Sequence, residues 1–213
     1  MKKLYWKFAG ALSGMLVSCA IAAPFAYVSN EESGTISVID TSTDQVVKEI
    51  KVGDKPRGMA AQLDGKKLYV NDQPHNALVV IDLEKLAPVG SIFLGESPEG
   101  VNIFPDGKWV VAAVEVSNSI AFINTETSEK EFLVKVRGEN PEHAVFSPDG
   151  KWVFSSAEEA HQIDVIDVAQ RKQVAQIEVG KRPRGIGFTP DSKTAYTASE
   201  FVSTVYAIDV AKQ

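Results

Sequence analysis

Three short patterns recur along this chain in one phase, about forty-two residues apart, and that period constrains the fold more than anything else in the sequence. A Pro-x-Gly-like triplet stands at Pro56-Arg57-Gly58, Pro98-Glu99-Gly100, Pro141-Glu142-His143 and Pro183-Arg184-Gly185, with spacings of 42, 43 and 42 residues. A turn stands at Asp64-Gly65-Lys66, Asp106-Gly107-Lys108, Asp149-Gly150-Lys151 and Asp191-Ser192-Lys193, again 42, 43 and 42 residues apart. A third pattern closes a strand at Ile39-Asp40, Ile81-Asp82, Ile123-Asn124, Ile166-Asp167 and Ile208-Asp209.

Each unit reads as four short strands. In the unit that starts at Gly58, a small-residue strand (GMAAQ) meets the Asp64-Gly65 turn, a strong hairpin signal. KLYVN alternates and is rich in strand formers, ALVVID follows a polar loop, and VGSIFL completes the unit. Four strands in about forty residues make one blade of a β-propeller. The predicted fold is all-β, with antiparallel four-stranded blades over about 25–55, 56–97, 98–140, 141–182 and 183–213. No stretch holds a 3.6-residue apolar period, so no helix is expected after the N-terminal segment. The strands number three, four, four, four and three, about 4.5 blades. That count predicts a C-terminally truncated ring; closure through a second chain is the other reading. An open fragment would expose an unpaired edge strand and invite association.

The first residues have another character. Met1-Lys2-Lys3 and Lys7 precede the apolar run from Phe8 to Ala23, and Ala20-Ile21-Ala22 offers a cleavage site. Residues 1–22 are therefore expected to be a signal peptide and 23–213 the mature, exported domain, periplasmic or secreted. Leu16-Val17-Ser18-Cys19 also resembles a lipoprotein box, which would put a lipid anchor on Cys19; the apolar stretch after it weighs against this, since such anchors are usually followed by a polar linker. Cys19 is the one cysteine of the chain, so the mature domain has no disulfide or thiolate chemistry. The formal net charge of −6 gives no basic footprint for nucleic acid, and no later apolar run is long enough for a membrane span.

No hydrolase, metalloprotease or nucleotide-binding motif is present, so no catalytic residue, metal or cofactor is predicted. In a four-stranded meander alternate loops share a face. The Pro-x-Gly loops and the loops between second and third strands therefore lie on one side, the Asp-Gly-Lys turns on the other. The first face carries the variation. Arg57, Glu99, Glu142 with His143, and Arg184 stand near the axis, with Glu31, Asp72, His75, Glu115, Glu158, His161 and Glu200 farther out. Arg57, Glu99, His143 and Arg184 are the candidate binding residues, since variable polar groups on a repeated scaffold are where binding resides. His143 replaces the glycine of the triplet. The mixed charges suit a zwitterionic or mixed-charge partner better than a polyanion.

Tyr27-Val28-Ser29-Asn30 followed by Gly34-Thr35-Ile36-Ser37-Val38-Ile39-Asp40 resembles the YVTN family of bacterial β-propeller repeats, as do Ser147-Pro148-Asp149-Gly150-Lys151 and the run from Val179 to Gly185. The resemblance covers about residues 25–213. The Gly-His and Trp-Asp signature of WD40 blades is absent; Trp109 and Trp152 begin second strands instead. More narrowly, the segment around 26–60 is similar to exported propellers associated with PQQ-dependent alcohol catabolism. That similarity implies a seven-bladed ring and a non-enzymatic binding or accessory module whose partner is a quinoprotein-system component or a small molecule. Two other functions stay open on the same resemblance. One is a cofactor-holding propeller enzyme like the d1-haem domain of nitrite reductases. The other is a surface or adhesion protein built from YVTN repeats.

Overall fold

The computed structural model describes residues 25–213, and the expected signal peptide and Cys19 lie outside the described residues. Eighteen strands form five antiparallel sheets. The first sheet holds β1 (Phe25–Asn30), β2 (Thr35–Asp40) and β3 (Gln45–Lys51). The second holds β4 (Met59–Ala61), β5 (Lys67–Asp72), β6 (Ala77–Asp82) and β7 (Ala87–Phe93). β8 (Pro98–Ile103), β9 (Trp109–Val114), β10 (Ser119–Asn124) and β11 (Glu129–Lys135) make the third. β12 (Pro141–Phe146), β13 (Trp152–Ala157), β14 (Gln162–Asp167) and β15 (Lys172–Glu178) make the fourth. The fifth holds β16 (Pro183–Phe188), β17 (Thr194–Ser199) and β18 (Thr204–Asp209). Within each sheet the strands pair in sequence order, as consecutive hairpins dictate. The fold is a β-propeller of the expected kind, partial in its strand count.

Local chemistry sets the turns. The Asp64, Asp106, Asp149 and Asp191 carboxylates each accept the backbone N–H two residues on, at 3.0, 2.8, 3.2 and 3.1 Å. The residue between takes the left-handed backbone, φ 70°, 79° and 70° at Gly65, Gly107 and Gly150, and 60° at Ser192. The Asp or Asn closing each third strand caps the next turn: Asp40 accepts from Ser42 N, Asp82 from Glu84 N, Asn124 from Glu126 N, Asp167 from Gln170 N and Asp209 from Ala211 N. One residue before these caps each third-to-fourth-strand ladder shifts register, between Val38 and Ile39, Val80 and Ile81, Phe122 and Ile123, and Val165 and Ile166. Such bulges increase the local twist of the blade.

The cores lie between sheets, so the central strands are covered on both faces. β6 and β10 are buried along almost their whole length, which is why they read as continuous apolar runs. The second and third sheets share Tyr69, Leu78, Leu94, Val110, Ala112 and Ile123; the third and fourth share Phe122, Val134, Phe146, Val153 and Ile166. Outer strands such as β3 are mostly exposed. Among the described residues the expectation of no helix is met apart from a single 3-10 turn at Glu200–Val202. It is the fifth copy of a four-residue loop that ends on a left-handed residue, here Ser203 at φ 50°, and it is wound slightly tighter than its counterparts. No helix among the described residues is long and apolar enough to cross a membrane.

Candidate functional site

The Pro-x-Gly loops deliver the chain to the inner strands. Asn71 on β5 pins the second of these sheets: its Oδ1 accepts the backbone N–H groups of Arg57 and Gly58, each at 2.8 Å, and its Nδ2 donates to Pro98 O at 2.7 Å. In the fourth sheet His143 N donates to Ser156 Oγ at 3.2 Å. Inner strands then approach each other at backbone distance. A Cβ built on Gly58 would stand 2.6 Å from Glu99 O, and one on Gly100 would stand 2.9 Å from Glu142 O. Gly58 and Gly100 are therefore required by neighbouring backbone, whereas a Cβ on Gly185 would meet nothing. His143 takes the equivalent place in the fourth sheet, and its ring packs against Gly100, whose added Cβ would lie 3.2 Å from His143 Cδ2.

A cavity of about 320 Å³ opens where these strands converge, lined by Arg57, Met59, Glu99, Val101, Glu142 and His143 with the two glycines. A larger groove of about 800 Å³ lies on the opposite side, along β18 and the turns at Asp149–Lys151 and Ser192–Lys193. Its acidic groups, Asp149 and Asp209, are spent on turn hydrogen bonds and on adjacent lysines, Lys151–Asp149 at 3.1 Å and Lys212–Asp209 at 2.9 Å, so the smaller cavity is the one with unspent chemistry.

Around that cavity runs a network of ion pairs. Arg57 bridges Glu31 at 2.9 Å and Glu99 at 3.2 Å, and Gln73 Nε2 donates to Glu99 Oε1 and, at 3.0 Å, to Ser97 Oγ. Arg184 joins Glu142, Glu158 at 3.0 Å and Glu200 at 3.1 Å. Arg182 joins Glu158 and, at 3.3 Å, Glu200, and its guanidinium lies 5.1 Å from the Phe201 ring centre. These contacts connect the Pro-x-Gly loops with the loops between second and third strands, so the two loop sets do share one face.

Burial dominates the electrostatics. Glu99 is 2% exposed, and desolvation pushes its carboxyl above the ordinary value in spite of the Arg57 partner. Glu142 is pushed up to about 7, first by desolvation and then by the charge of Glu99 on the adjacent strand, with Arg184 opposing. Desolvation, and secondarily Arg184, holds the His143 imidazole below its usual range. The Glu31 hydrogen bond holds Arg57 firmly protonated. His143 Nδ1 is buried with no hydrogen-bond partner among the described residues. A buried polar nitrogen of this kind is where a bound ligand or water would complete the hydrogen bonding.

Arg57, Glu99 and His143 therefore line one cavity, and Arg184 reaches it through Glu142. The arginines do not stand as free charges, because each is already held by two or three carboxylates. Farther out, His75 pairs with Asp72 at 2.9 Å, and His161 is a turn residue, φ 59°, with Nδ1 3.0 Å from Glu158 O. Sequence reasoning missed Gln73 and Arg182. Arg182 had a signal: it is the fourth copy of the left-handed residue before the triplet proline, after Lys55, Ser97 and Asn140. Among the described residues no group of three or more His, Cys, Asp or Glu side chains is placed to hold a metal ion.

The sequence profile of the YNCE-like beta-propeller family matches residues 92–213. This chain belongs to that family. A comparison with curated proteins finds no match for this YNCE-like propeller. Among solved structures it is similar to Kuenenia stuttgartiensis hydrazine synthase, at 25% sequence identity and a TM-score of 0.78. The match covers 88% of this chain and 58% of that one, so the YNCE-like propeller spans less than two thirds of the hydrazine synthase chain.

Proposed function

We propose that this chain is an exported, non-enzymatic propeller that binds a small molecule or a partner protein at the axial cavity, as an accessory module of a periplasmic quinoprotein alcohol-oxidising system. The observation that carries the binding reading is the cavity wall itself. At the point where the other triplets carry glycine, the fourth sheet presents a histidine with a buried, partnerless nitrogen beside two buried glutamates. A repeated scaffold otherwise held to pattern departs from it where ligands would meet it. Export is supported by the basic and apolar N-terminal segment, and the quinoprotein link by the similarity of the stretch around residues 26–60 to propellers of that setting.

His143→Gly restores the glycine of the triplet and should leave the fold intact while removing binding. Lys108→Ala, on the opposite face, should change neither. In a pull-down from periplasmic extract, the first variant is expected to lose the partner that the wild type and the second retain. Unfolding of His143→Gly, or equal capture by all three proteins, overturns the face assignment. A Soret absorption band in purified protein would overturn the non-enzymatic reading in favour of a cofactor-holding propeller.

A further inference from the structure

We infer that the axial cavity takes a small organic cation, an alkylammonium whose charged head sits against Glu99 and Glu142 and whose carbon tail lies on Met59 and Val101. The inference rests on the binding reading above and names its ligand class.

Charge balance comes first. The ion-pair network beside the cavity, one cluster about Arg57 and a second about Arg182 and Arg184, holds five carboxylates, Glu31, Glu99, Glu142, Glu158 and Glu200, against three guanidiniums. Fully ionised, it carries two more negative than positive charges. The distribution is uneven as well. The second positions of the four triplets read Arg57, Glu99, Glu142, Arg184, so cations flank the row and the carboxylates occupy its middle. Gly58 and Gly100 bring those inner strands to backbone contact, which crowds the two glutamates at the cavity. Burial first, and the neighbouring Glu99 second, hold the Glu142 carboxyl above its usual range, with Arg184 opposing. A cation in the cavity would allow both groups to remain ionised.

Other ligands fit less well. An anion would have to take Arg57 or Arg184 away from buried carboxylates, leaving those uncompensated, and a buried unpaired charge is costly. A metal ion would want three or more donors converging at about 2.0–2.6 Å, and no such group is present among the described residues. An ammonium needs only a few acceptors. Two are the glutamates, and His143, kept neutral by burial and with Nδ1 unpartnered, adds a third without repelling a cation. Met59 and Val101 supply apolar wall for a short chain. A volume of about 320 Å³ is near the lower end of small-molecule sites, so the chain must be short.

The test is calorimetric titration of the full exported chain with butylammonium chloride, with sodium butyrate and butanol as probes of the same tail and different head. Butylammonium alone is expected to bind, and its affinity should fall on acidification below pH 7 by up to about tenfold per pH unit as Glu142 takes a proton. Glu142→Gln and Glu99→Gln should each weaken binding at least about tenfold at pH 8, with folding checked by melting, while Lys108→Ala binds as wild type. The wild-type pH series keeps the test valid if a variant misfolds. Absence of butylammonium binding, preference for butyrate, equal binding of butanol, or a flat pH series overturns the inference. If these titrations fail while His143→Gly still loses its captured partner, the cation is wrong and the binding face stands; if both fail, the face assignment falls too.

Discussion

Two glycines and one glutamate carry most of what can be tested at the scale of single residues. Gly58 and Gly100 are held by neighbouring backbone at 2.6 and 2.9 Å from a Cβ they lack, whereas nothing lies within 4 Å of a Cβ on Gly185. Alanine at 58 or 100 should cost about 1–3 kcal/mol of overpacking, read as a lower melting temperature, and Gly185→Ala should melt as wild type. Glu142 gives a pH signature. Its native carboxyl titrates near 7 against an ordinary 4.5, so the folded state binds more protons and this group's contribution to stability falls as pH rises through that interval. His143 works in the other direction, since its depressed native value takes stability away as pH falls below 6.5. Glu142→Gln should therefore lose ground to wild type progressively between pH 7 and pH 5, by no more than about 1.4 kcal/mol per pH unit. A constant difference in melting temperature across that range would refute the assignment. The positions of Arg57, Glu99, His143 and Arg184 were legible from the repeat phase alone. Their pairing was not, because it depends on how far each side chain reaches across a blade boundary. Arg57 finds Glu31 from an adjacent loop, and Arg182, whose place before the triplet proline the repeat marks, reaches Glu158 and Glu200 across a neighbouring loop.

At the scale of elements, strands and turns were readable because their chemistry is local. Five Asp or Asn residues end third strands, and all five cap the following turn with a side-chain oxygen. Asp82 makes two such bonds, to Glu84 N at 3.0 Å and Lys85 N at 2.9 Å, and a salt bridge to Lys85. Asp82→Ala should lower the midpoint of urea melts, with Asp82→Asn recovering most of the loss, since Asn124 performs the same task in the next sheet. An equal loss in both variants would point to the ion pair rather than the cap. The bulges were not legible. A two-residue period predicts an unbroken ladder, and the register shift before each Ile-Asp pair arises from the twist that successive sheets must share.

On the scale of the whole molecule, five sheets are joined by four apolar cores, each built from two neighbours, and that arrangement makes a prediction about cooperativity. Phe122 sits in the core between the third and fourth sheets, stacked on Phe132 at 4.5 Å and edge-on to Trp109 and Phe146. Phe154 sits between the fourth and fifth, edge-on to Phe188 at 4.9 Å. Both are essentially buried, so alanine at either should cost about 3–5 kcal/mol. The location of the damage should differ. In a stack held by nearest-neighbour contacts, Phe154→Ala loosens β16–β18 first, whereas Phe122→Ala severs the middle and weakens both sides. Hydrogen exchange read by mass spectrometry should show faster exchange confined to peptides around 183–209 in the first variant. Peptides of β5 and β6 should keep their protection there and lose it in the second variant. Uniform loss of protection across all five sheets in both variants would mean that the propeller opens as one unit. The axial cavity would then depend equally on every interface rather than chiefly on the three inner strands that line it.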